Sequence, residues 1–189
     1  FADAAYYETI HAGKQQNVAA DFRVKKYRLD FSMGLNLTGS AKVYVDRSEL
    51  KSYRFTLYHG YKVKQVTDQT GAALDFRREY DYVTVTRGGA DVEYLCLEYT
   101  GKSPKYYSSY AGVCLPANFA YYPIPGYREL FKDSFYGFID CSLPYDTAFD
   151  VRCSGRKQMY CNLAARGNNH FAGNARSITL LSGYYDTLK

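Results

Sequence analysis

Three histidines, five cysteines and one long uncharged aromatic run are the parts of this 189-residue sequence with the chemistry to bind or react. No carboxylate or cysteine sits at ligand spacing from His11, His59 or His170, as a shared metal ion would require. Each reads as a structural histidine, His59 as a turn residue before Gly60. Serines and acids are scattered, and a nucleophilic triad is defined by geometry that spacing does not supply. Cys96, Cys114, Cys141, Cys153 and Cys161 leave at least one thiol unpaired in a monomer and form no disulfide framework. Cys96 and Cys153 read as small buried hydrophobes in strands, and a Cys153–Cys161 bridge across a hairpin stays open. The residues thus point to no catalytic group, no metal ligand and no cofactor.

The aromatic run is Tyr106 to Tyr127, YYSSYAGVCLPANFAYYPIPGY, with six tyrosines, one phenylalanine and three prolines but no charge. In a chain that is 23% charged, such a run must lie against something. Pro123 and Pro125 fix φ and remove donors, while Gly112 and Gly126 permit positive φ, so an irregular crossover held by side-chain packing is expected. Its candidate contact residues are Tyr106, Tyr107, Tyr110, Phe119, Tyr121, Tyr122 and Tyr127. They either pack the crossover along a sheet or present a ligand-binding surface.

The elements that position this run are strands. The sequence is 47% hydrophobic with 22 tyrosines and 11 phenylalanines, side chains that suit a pleated, half-buried surface. Its length suits one domain with a sizeable core. The net charge of +5 is spread out. The densest group, Arg23, Lys25, Lys26 and Arg28, falls on alternating faces of a strand, unlike the stripe that tracks phosphates, so no nucleic-acid partner is expected. No apolar run approaches the roughly 18 to 20 residues that span a bilayer, and no signal-peptide core is visible.

Residues 1–20, with Tyr6, Tyr7, Ile10 and His11, read as an irregular or short helical lead-in. From residue 21 to 189 the period is two, and turns every 8 to 15 residues predict an all-β fold, an antiparallel β-sandwich with a long aromatic crossover loop. Tyr27, Leu29 and Phe31 line a first strand. Leu35 to Val45 line a second, bent or bulged at Gly39, and Tyr53 to Leu57 a third. Tyr61, Val63, Leu74, Phe76, Val83, Val85, Leu95, Leu97 and Tyr99 continue the set. Phe135, Phe138 and Ile139 resume it, then Phe149, Val151 and Cys153. Ser154 to Lys157 is expected to turn a hairpin towards Met159 and Cys161, with RGNNHFAGNA a polar loop. Ser177 to Tyr185 reads as an edge-like terminal strand, with Ile178 and Leu180 on its buried face. Leu181, with Tyr184 and Tyr185, is the candidate interdomain contact. Opening at Phe1 and stopping after a strand-like segment, the sequence reads as a domain excised from a longer protein.

LTGSAKVYV, FTLYHGYKVKQVTDQTGAALDF, VTV, LCLEYTG, ANFAYYPIPGYREL, FDVRCSGRKQMYCNL and SITLLSGYYD follow one another in an order that resembles the N-terminal β-domain of the aminopeptidase N family of zinc metallopeptidases. The resemblance runs from about Tyr27 to Asp186. FTLYHGYKVKQVTDQTG and FAYYPIPG resemble most a divergent branch in which this domain is the extracytoplasmic part of a bacterial ABC-transporter permease. The resemblance implies a non-catalytic recognition or scaffolding domain on the outer face of the cell membrane. Its implied partners are adjoining domains of the same polypeptide, transmembrane spans among them, and a peptide or protein ligand.

An alternative is the accessory N-terminal domain of a zinc aminopeptidase whose catalytic domain lies beyond residue 189. The family's zinc site pairs two histidines one helical turn apart with a glutamate, and its exopeptidase signature is Gly-x-Met-Glu-Asn; neither is present here. The family's substrate-holding glutamine falls near Gly112. A further alternative is a carbohydrate-binding module, weakened by the absence of tryptophan.

Overall fold

The computed structural model describes residues 16–34, 36–104, 107–109, 112–129, 141–155 and 157–183. Among these residues there is no helix, and the alternating pattern becomes strands. In chain order they are β1 (Val24–Met33), β2 (Leu37–Val45), β3 (Ser52–Thr56), β4 (Tyr61–Thr67), β5 (Phe76–Glu79), β6 (Tyr82–Thr86) and β7 (Tyr94–Gly101). They continue as β8 (Gly112–Leu115), β9 (Ile124–Pro125), β10 (Thr147–Ser154), β11 (Gln158–Cys161), β12 (Ala164–Gly167), β13 (His170–Ala175) and β14 (Leu180–Gly183). Leu35, the Phe135–Ile139 segment and most of the lead-in, residues 1–15, lie outside the described residues.

A seven-stranded sheet runs in the order β12-β13-β10-β1-β2-β7-β4; β11-β14-β8 and β5-β6-β3-β9 form two smaller sheets. The large sheet buries one face through Tyr27, Leu29, Phe31, Val43, Leu95, Leu97 and Tyr99. Tyr53, Phe55, Val83 and Val85 of the four-stranded sheet and Leu115, Met159 and Leu180 of the three-stranded sheet enter the same core. The result is a sandwich-like all-β fold, with the two small sheets closing one face of the large one and water on the other. That division explains the alternation, because a half-solvated sheet needs apolar side chains only at every second position.

Several expected elements take other places. Ser154 to Lys157 does not turn a hairpin: β10 pairs parallel with β1 on one edge and antiparallel with β13 on the other, so β11 pairs with β14 in another sheet. The parallel β1–β10 pair also interrupts a wholly antiparallel scheme. RGNNHFAGNA is no loop, since β12 and β13 make a hairpin there. A strand so near the sheet edge needs few apolar anchors, and in β13 only Phe171 is buried. The terminal strand β14 is central rather than an edge, held between β11 and β8. A bulge between Val24 and Lys26 keeps Arg23, Lys25, Lys26 and Arg28 all out of the core instead of alternating them through it.

Gly39 sits in unbroken register between Phe31 and Tyr99, with no bulge. A Cβ on Gly39 would lie 2.5 Å from the Tyr99 ring, so the glycine makes room for that ring. Tyr99 is fully buried and its hydroxyl is bonded, so it cannot swing aside. Gly39→Ala is therefore expected to cost about 1 to 3 kcal/mol through overpacking. Gly89→Ala, where a Cβ meets nothing within 4 Å, should stay within about 0.5 kcal/mol. Paired urea denaturation midpoints check the difference.

Candidate functional site

The second half of the aromatic crossover lies at the centre of the core. Every residue from Phe119 to Gly126 is buried. The crossover is also less irregular than its prolines suggest, because it contributes β8 to the three-stranded sheet, with Leu115 opposite Leu180, and β9 to the four-stranded sheet, with Ile124 opposite Thr56. Between those strands the chain passes beneath the large sheet and is pinned by tyrosine hydroxyls. Tyr27 donates to the Pro123 carbonyl at 2.9 Å, Tyr99 to that of Tyr121 at 2.9 Å, and Tyr121 to that of Ile178 at 2.8 Å. Burial pushes all three hydroxyls well above the ordinary phenol range, so they remain donors. The Tyr122 ring meets Tyr27 edge-on at 5.4 Å. Burial pushes its hydroxyl above the ordinary phenol range as well.

Phe119, Tyr121 and Tyr122 are thus buried packing groups. Tyr107 is half-buried against Phe119, ring centres 4.7 Å apart, and Tyr127 is half-buried against Tyr82 at 4.5 Å with its hydroxyl bonded to Thr84. Tyr106 and Tyr110 lie outside the described residues. Gly112, opposite Gly183 in β8, has a strand conformation without positive φ. A Cβ there would meet the Ser182 carbonyl oxygen at 2.4 Å, so close strand approach explains the glycine.

The structure brings Leu181 into a row that crosses the three-stranded sheet, Tyr160 opposite Leu181 and Leu181 opposite Cys114. Leu180 and Ser182 on either side point into the core, whereas Leu181 is half-buried, Cys114 is exposed and Tyr160 is 38% exposed. Tyr160 and Val18 are the exposed large hydrophobic residues among those described. Tyr184 and Tyr185 lie outside the described residues. No sequence signal marked Tyr160 or Cys114, because their meeting depends on the register of three strands distant in the chain.

His59 Nδ1 lies 3.1 Å from the buried Asp81 carboxylate, which also accepts the His59 backbone N–H at 2.6 Å. His170 Nε2 lies 2.9 Å from Asp150. Each of these histidines meets one carboxylate, and no group of three or more His, Cys, Asp and Glu able to hold a metal occurs among the described residues, which exclude His11. All five cysteines are free thiols, Cys153 and Cys161 among them. Burial, with Cys161 nearby, pushes the Cys153 thiol up to about 12.

An all-β domain of this design is similar in fold to part of several zinc metallopeptidases. An M1 zinc metallopeptidase from Deinococcus radiodurans, bound to a Tyr-Ser-Ala substrate, superposes with a TM-score of 0.59 at 15% identity over 86% of this chain and 42% of that one. Yeast LTA4 hydrolase in complex with bestatin superposes with a TM-score of 0.59 at 12% identity, over 89% of this chain and 30% of that one. Native leukotriene A4 hydrolase from Saccharomyces cerevisiae gives 0.55 at 10% identity, over 95% and 33%. This chain therefore spans less than half the length of these structures, and the likeness is one of fold. No sequence family and no curated protein matches it.

Two measurements check the chemistry of this region. Tyr121→Phe removes the 2.8 Å hydrogen bond to the Ile178 carbonyl within the core and should cost about 1 to 3 kcal/mol, read from the urea denaturation midpoint. In native-state alkylation at pH 8, exposed Cys114 should be labelled first and Cys153 among the last, since only the accessible thiolate reacts. Mass-spectrometric mapping of the labelled sites reads the order.

Proposed function

We propose that this chain is a peptidase-like recognition or scaffolding domain that performs no catalysis itself and belongs to the extracytoplasmic part of a bacterial ABC-transporter permease. The observation that carries an interaction role is the apolar row Tyr160, Leu181 and Cys114, on the outer face of a sheet whose inner face closes the core. Apolar side chains grouped on one exposed face mark contact surfaces more often than singly scattered ones do. In the M1 zinc metallopeptidase and LTA4 hydrolase structures of similar fold the matching region is part of a much longer chain. We therefore assign the row to contact with adjoining domains of the same polypeptide. The permease assignment rests on the sequence resemblance of FTLYHGYKVKQVTDQTG and FAYYPIPG to that branch.

The second reading, an accessory domain of a zinc aminopeptidase, is favoured by those same neighbours. On either reading the sequence is part of a longer polypeptide, and that polypeptide would separate the two. A permease should sediment with the membrane, expose this domain to protease added outside intact cells, and retain no stoichiometric zinc. One tightly held zinc per chain with aminopeptidase activity would establish the peptidase reading instead. The contact row has its own test. Joint Leu181→Lys and Tyr160→Lys substitution should accelerate hydrogen exchange in β11 and β14 of the full polypeptide. In this chain alone it should shift stability by no more than about 1 kcal/mol, because both side chains stand on the face of the sheet turned away from the core.

A further inference from the structure

We infer that the open face of the seven-stranded sheet is a binding site for an oligosaccharide bearing one acidic group at its end. This goes beyond the scaffolding role and does not depend on the permease assignment.

One end of that face is cationic. In adjacent register rows, Lys26 lies opposite Tyr44 and Tyr44 opposite Tyr94, while Arg28 lies opposite Lys42. The Tyr44 and Tyr94 rings sit 4.8 Å apart. Arg28 stands over the first at 5.7 Å and Lys42 over the second at 5.4 Å, so the rings hold both cations on the face. Asp150 is opposite Arg28 in register but is occupied by His170 at 2.9 Å and Arg152 at 3.8 Å. None of Lys26, Arg28 and Lys42 enters an ion pair with a described residue.

The neighbouring rows have a different character. Arg152, Asp30, Ser40 and Glu98 follow one another across four strands, and beside them Ser154, Ser32, Thr38 and Thr100 do the same. Small hydroxyl side chains leave a groove of about 440 Å³ whose walls include Asp30, Ser32, Thr38, Ser40, Glu98 and Arg152. A carboxylate accepts, a guanidinium donates and a hydroxyl does both, which is the set that matches sugar hydroxyls. From Lys42 to Thr38 along β2 is roughly 13 Å, about the span of a short oligosaccharide.

The charge pattern selects the ligand. A uniform polyanion would set its charges against Asp30 and Glu98, and a neutral sugar would leave the three cations unanswered. An acidic group at one end, with neutral rings following, meets both halves. Tyrosine here orients cations instead of stacking on sugar, so the lack of tryptophan is no obstacle.

The test is an amide chemical-shift titration with a trisaccharide ending in glucuronate, alongside the same trisaccharide ending in glucose, and heparin. The acid-ended sugar should shift amides of β1, β2 and β7, and bind at least tenfold tighter than either control. Raising salt from about 50 to 500 mM should weaken it severalfold as the exposed charges are screened. Lys42→Ala and Arg28→Gln, both at solvent-facing positions, should each weaken binding about tenfold, and Ser32→Tyr should block the groove, with the amide spectrum of each variant confirming the fold. Equal or tighter binding of heparin would reduce the face to a diffuse cationic surface and overturn the proposal. So would equal binding of the neutral sugar, or no binding of the acid-ended one.

Discussion

The whole structure depends on burying one strand-connecting segment, Phe119 to Gly126, between the large sheet and the two small ones. A backbone taken from water must have its polar groups answered, and much of this segment lies outside regular pairing. Tyrosine is the residue that can answer them from across a core: it fills volume with its ring and carries a donor at the tip. Tyr27 and Tyr99, on strands β1 and β7 of the large sheet, donate to carbonyls of the segment, and Tyr121 of the segment donates onward to the approach of β14. Prolines at 123 and 125 fit because they bring no N–H that would need a partner. The richness in tyrosine is thus largely a solution to an internal hydrogen-bonding problem.

A second constraint is the parallel pairing of β1 with β10. It occupies the edge that a hairpin return from β10 would use, while β13 occupies the other. The chain therefore leaves the large sheet after Ser154 and builds the three-stranded sheet from β11, β14 and β8, three strands far apart in sequence. That sheet closes the core with one face and turns Tyr160, Leu181 and Cys114 outward with the other. The topology thus places Tyr160, 38% exposed, and half-buried Leu181 on the side of that layer that faces away from the core.

The outer face of the large sheet is free of both demands, since it contributes nothing to the core. Its side chains sort into a cationic, tyrosine-supported end and a hydroxyl-lined groove with acidic walls. Asp150 decides the asymmetry: by turning to His170 it leaves Arg28 without a counter-charge among the described residues.

The sequence by itself determined the all-β class, the first strands from Tyr27 to Val45, and Leu95, Leu97 and Tyr99. In these stretches the alternation is strict because one face is wet and the other dry. It also pointed to cover for the aromatic run, since so many uncharged rings avoid water, and the structure buries the second half of that run, Phe119 to Gly126. Tertiary structure decided the rest. His170 to Ala175 carries too few apolar groups to announce a strand and is one because β10 offers it an edge. Gly39 looks like a bend in sequence and proves to be space for a ring from another strand. Both candidate surfaces are register effects. Tyr160 meets Leu181, and Arg28 meets Lys42, through pairings between strands whose partners no local pattern names, because period two specifies which face a side chain takes and not which strand lies beside it.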